Sequence, residues 1–72
     1  MQKQIYIDGW KVSVISDGYG KEYGLFELGL KKESCSELAC WHIQGFLSFE
    51  DVLDLIEKIT VNPLKVYANL EA

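Results

Sequence analysis

Cys40 and His42 stand two residues apart, with Cys35 five residues before Cys40 and Glu33 and Glu37 close by. On an extended segment, residues i and i+2 share a face, so the thiol and the imidazole stand side by side. Two chemistries use that pairing: zinc ligation by sulfur and imidazole, and attack by a thiolate beside a general base. A structural zinc site takes four ligands, and the chain's two cysteines and one histidine fall short of that. Glu33 or Glu37 would have to complete the set. For nucleophilic catalysis no stretch supplies an oxyanion-donor signature. An acid–base pair could be drawn from any of 11 carboxylates, which makes every choice unspecific. The glycine-rich GYGKEYG at 18–24 lacks both the spacing of a phosphate-cradling loop and a following helix. These residue types point to a protein that is not an enzyme and that uses no metal or cofactor.

A more coherent pattern is acidic. Glu50, Asp54 and Glu57 recur at helical spacing, with Asp51 beside them and Glu71 close to the C-terminus. Such a face is commonly just solvated, yet arrayed carboxylates can also engage the arginines and lysines that normally hold phosphates. Opposite potentials then speed encounter. Tyr19 and Tyr23, on a glycine-rich segment, and Tyr6 are candidates for the less charged part of such an interface.

The element that presents these acids is the strongest in the sequence, GFLSFEDVLDLIEKI at 45–59. Ser48 is an N-cap, and Asp51 three residues on completes a capping box. Leu47 and Val52 have the spacing of a hydrophobic staple. Phe49, Val52, Leu53, Ile56 and Ile59 fall on one stripe with Leu55 at its edge. Pro63 marks the stop. A charge placed at Leu53 or Ile56 is therefore expected to unfold the domain.

Strands precede it. Asp8-Gly9 between alternating segments predicts a type I′ hairpin pairing Ile7 with Trp10, Ile5 with Val12 and Lys3 with Val14. Residues 16–24 read as a loop, 25–30 as a third strand and 31–37 as a turn. Residues 38–46 read as a fourth strand, with Ala39, Trp41 and Ile43 toward the helix and Cys40, His42 and Gln44 away from it. LKVYANL after Pro63 alternates weakly and reads as a short final strand. The expected fold is α+β, one domain over 1–72: an antiparallel four-stranded meander with one C-terminal helix packed on one face.

Composition sets the remaining bounds. An apolar fraction of 49% suffices for a core, and a net charge of −4 argues against direct nucleic-acid binding. No apolar run approaches a membrane span, and MQKQIYID lacks the apolar centre of an export signal, so a cytoplasmic location is expected. On that ground Cys35 and Cys40 read as free thiols.

In WKVSVISDGYGKEYGLFELGL and GFLSFEDVLDLIEKI, about half of the chain, the sequence resembles small proteins encoded by phages and prophages. The likeness lies in size, acidity and layout. Some proteins of that kind are anti-CRISPR inhibitors, so the resemblance implies a phage protein acting on a defence complex in the host cytoplasm. Its partner would be a host protein or ribonucleoprotein with a basic surface, met through Glu50, Asp54, Glu57 and the tyrosines. The alternative is a self-associating module that forms a homodimer through an edge strand or the outer sheet face.

Overall fold

Asp8 and Gly9 turn the chain back on itself with φ of 46° and 83°, the two positive values that a type I′ turn requires. Glycine meets that demand without a Cβ penalty, and aspartate is among the residues that tolerate it best. The computed structural model of the chain describes residues 2–70. On either side of the turn run β1 (Gln2–Ile7) and β2 (Trp10–Ile15), in the expected register of Ile7 with Trp10, Ile5 with Val12 and Lys3 with Val14. Strand β3 (Phe26–Lys32) and strand β4 (His42–Leu47) extend the sheet in the order β1-β2-β3-β4, every pair antiparallel. The fold is an α+β meander whose sheet is open at both edges.

Helix α1 (Phe49–Val61) starts where its caps predict. Ser48 Oγ accepts from the Asp51 N–H and Asp51 Oδ2 accepts from the Ser48 N–H, each at 3.1 Å. Val52 and Ile59 sink into a core made by Trp10, Val12, Val14, Leu28, Leu30 and Leu47. Leu53 does not: it remains 51% exposed, and Phe49 57%. The apolar stripe of α1 is wider than the strip of sheet it covers, so its outer members overhang. The expectation that a charge at Leu53 unfolds the domain is corrected accordingly.

The final strand read after Pro63 is instead a helix, α2 (Pro63–Asn69). Asn62 explains the continuation. Its N–H caps α1 at the Lys58 carbonyl, while its side chain accepts from the Lys65 N–H at 3.3 Å. Pro63 occupies the first helical turn, where its missing N–H costs nothing. Val66 and Leu70, four apart, then reach the core, with Tyr67 packed against it. The same residues that alternate as a strand also recur at helical spacing.

Strand β4 holds the second correction. Leu38–Cys40 form a 3₁₀ turn, and the strand begins only at His42. Leu30 pairs with His42 and Leu28 with Gln44, so His42 and Gln44 share the helix-facing side. Trp41 and Ile43, expected against the helix, lie on the other side. There Gly29 makes room: a Cβ at that position would stand 3.0 Å from the Trp41 ring. A bulge returns the chain to its core face. Leu28 pairs with Gln44 but Phe26 with Leu47, and Phe46 takes a left-handed φ of 58° to absorb the extra residue. Lys31 and Lys32, expected in a turn, belong to β3.

Candidate functional site

Helix α1 is seated by Val52 and Ile59, which turns Glu50, Asp54 and Glu57 to solvent. Their roles are not equal. Asp54 pairs with Lys58 at 3.0 Å, an i,i+4 bridge between two well-exposed groups. Such a surface pair contributes little to stability, but it neutralises part of the acidic array. Asp51, also exposed, is committed to the capping box. Among the described residues, Glu50 and Glu57 have no cationic partner, and they are the open carboxylates of this face. Glu71 lies outside the described residues.

The candidate tyrosines separate into two places. Tyr19 and Tyr23, 67% and 74% exposed, lie on the loop between β2 and β3. That loop is fastened: the Tyr19 N–H donates to Glu27 Oε2 at 2.8 Å, and the Phe46 N–H donates to the Tyr19 carbonyl at 3.1 Å. The Tyr23 and Phe46 rings lie 6.2 Å apart, giving an aromatic patch just before α1 in the chain. Phe46 was not legible as part of it, because only the bulge turns its ring outward. Tyr6 is elsewhere. It pairs with Lys11, whose ammonium lies 5.8 Å from its ring, on the sheet face turned away from α1. Tyr6 and the acids of α1 cannot share one flat contact.

Grooves run along both flanks of α1. On the α2 side, Gln44, Asp51, Asp54, Lys58 and Asn69 line an open hollow of about 330 Å³. On the β1 side, Lys3, Ile5, Phe49, Leu53 and Ile56 line one of about 200 Å³. Sequence reasoning placed Phe49, Leu53 and Ile56 in the core and did not find the β1-side groove. The overhang of Phe49 and Leu53 depends on where α1 crosses the sheet, which no local pattern records.

The cysteine and histidine chemistry resolves structurally. Cys35 and Cys40 are joined to each other, with Cα atoms 6.3 Å apart, which corrects the reading of free thiols. The short 3₁₀ turn folds Cys40 back toward Cys35, a proximity that an extended reading of residues 38–46 does not allow. Each cysteine carbonyl is held by a side chain. Lys31 Nζ donates to the Cys35 carbonyl and to that of Lys32, and lies 5.6 Å from the Trp41 ring. Tyr67 donates its hydroxyl to the Cys40 carbonyl at 2.7 Å. His42 stacks on the Tyr67 ring at 3.7 Å, and its Nδ1 lies 2.6 Å from the Tyr67 carbonyl. A carbonyl can only accept, so Nδ1 carries the proton. The buried amino group of Lys31 thus has oxygen partners, and His42 is engaged by α2. Among the described residues, no three histidine, cysteine or acidic side chains gather as a metal set. Nor is any helix there long and apolar enough to cross a membrane.

No family model, curated protein or solved structure matches this chain.

Proposed function

We propose that this chain is a small acidic interaction protein, not an enzyme, that occludes a basic surface on a nucleic-acid-handling complex. In keeping with the resemblance to phage proteins, the complex is a host defence assembly and the action is inhibition of the anti-CRISPR kind. The observation that carries this reading is the outward row of Glu50, Asp54 and Glu57 on a helix seated by Val52 and Ile59, of which Glu50 and Glu57 lack a cation among the described residues. Held on one helix, these carboxylates are pre-organised to meet arginines and lysines that would otherwise contact phosphate. Tyr19, Tyr23 and Phe46 offer an aromatic patch near the start of the same helix, and the side chain of Tyr6, on the opposite sheet face, takes no part.

The proposal places the protein in the host cytoplasm, where reductants compete with the Cys35–Cys40 bond. The test is a quantitative pull-down from bacterial lysate with wild type and with Glu50→Lys/Asp54→Lys/Glu57→Lys. A basic partner should be retained at low salt, released at high salt and lost with the triple variant, whose circular dichroism stays native. Full retention by the triple variant would refute the reading. A second reading, self-association, is favoured by one observation: β1 is an edge strand whose outer side has no strand partner among the described residues, beside exposed apolar side chains. A mass that doubles with concentration in light scattering would select it.

A further inference from the structure

The geometry points to a strand-addition site: the open edge of β1 and the groove beside it accept an extended segment of a partner, with alternate apolar residues and flanking lysine or arginine. This rests on the acidic-face reading and says how that face would be engaged. Three features converge. First, among the described residues β1 pairs only with β2, so its other side offers main-chain donors and acceptors to a fifth strand. In a two-residue hairpin the Ile7–Trp10 pair exchanges hydrogen bonds, and alternation carries this to Ile5 and Lys3. The outward N–H and C=O groups are therefore those of Tyr6, Gln4 and Gln2.

Second, the floor beside that edge is apolar. Ile5, Phe49, Leu53 and Ile56 line it, with Phe49 57% and Leu53 51% exposed. A strand laid along β1 would turn every second side chain onto this floor. The two exposed apolar residues are the part of the α1 stripe that the chain's own sheet leaves uncovered.

Third, charge selects the occupant. Leu53 has Glu50 three residues before it and Glu57 four after it, so both carboxylates neighbour Leu53 on the solvent side of the helix, outside the groove's own lining. Glu57 also lines a hollow toward α2 with Lys58 and Lys65. Neither carboxylate is ion-paired among the described residues. A basic rim on the incoming strand answers them, whereas an acidic strand would be repelled. Lys3 stands on the opposite, strand side of the groove. A second copy of β1 is a poorer occupant. In a pairing that continues both sheets on one face, Lys3 falls opposite Ile5 or Ile7 of the other copy, which sets its ammonium against apolar side chains.

The test is selection of a random heptapeptide display library on the folded chain, followed by titration of the synthesised winner. Enrichment should favour apolar residues at alternate positions with lysine or arginine between or beside them. Gln4→Pro removes an outward donor without touching the β1–β2 ladder, and Leu53→Lys places a cation on the floor. Each should weaken the winning peptide about tenfold or more while circular dichroism is unchanged. If Leu53→Lys disturbs folding, Phe49→Ser replaces it. No enrichment, enrichment of acidic peptides, or unchanged affinity with Gln4→Pro would overturn the proposal, as would a dimer that Gln4→Pro dissociates. Binding lost with Glu50→Lys/Glu57→Lys yet untouched by Gln4→Pro would overturn strand addition alone and leave the acidic face standing.

Discussion

Replacing Tyr67 by phenylalanine should reveal how the disulfide loop and α2 depend on each other. The change deletes one hydroxyl and its 2.7 Å bond to the Cys40 carbonyl, while the ring stays stacked on His42 and packed 5.2 Å from Trp10. A hydrogen bond of this kind contributes about 1 kcal/mol. Removing the Cys35–Cys40 bond frees a loop of sequence separation 5, worth about 2 kcal/mol in chain entropy. If the freed loop also carries Cys40 away from Tyr67, the hydrogen bond goes with it, and the total reaches about 3 kcal/mol. Tyr67→Phe should then cost about 1 kcal/mol in the oxidised protein and nothing further in Cys35→Ser/Cys40→Ser. Urea unfolding followed by tryptophan fluorescence measures this cycle, since Trp10 reports on Tyr67 directly. A Tyr67→Phe cost that is the same in both backgrounds would show that the loop holds its place without the sulfur bridge, and would refute the linkage.

Other perturbations follow from single contacts. Ser48→Ala removes the hydroxyl half of the capping box and should lower stability by about 1 kcal/mol, read in the same urea titration. Gly29→Val drives a side chain into the Trp41 ring and should cost about 1–3 kcal/mol, with a shift in tryptophan emission as that ring lifts. Ile59→Ala, at a fully buried position, should cost about 2–5 kcal/mol and lower the thermal midpoint steeply.

How far the fold was legible depended on how local its determinants are. The β1–β2 hairpin and the start of α1 are specified by neighbours, Asp8-Gly9 in one case and Ser48 with Asp51 in the other, and both were readable. The β4 face was not, because its orientation is set by partners far away in sequence: Gly29 receives Trp41, and Tyr67 receives His42. Bulky Trp41 and Ile43 look like core residues to any count of alternation. Pro63 misled because the residue that stops one helix can open the next, and Asn62 caps both. The acids of α1 were placed correctly as an outward face, since helical spacing decides that alone. Which of them remain open depended on Lys58 and on the capping box. The groove beside β1 arises from the crossing of α1 over the sheet, and no pattern within a single element encodes it.

The two faces of the sheet separate the central proposal from its competitors. On one purified partner, the affinity of Glu50→Lys/Glu57→Lys should be set beside that of Tyr6→Ala/Lys11→Ala, which alters the sheet surface turned away from α1. Binding should fall about tenfold or more for the first pair and stay at the wild-type value for the second. Loss confined to the Tyr6 and Lys11 pair, with the charge-reversed helix still bound at full strength, would contradict the account.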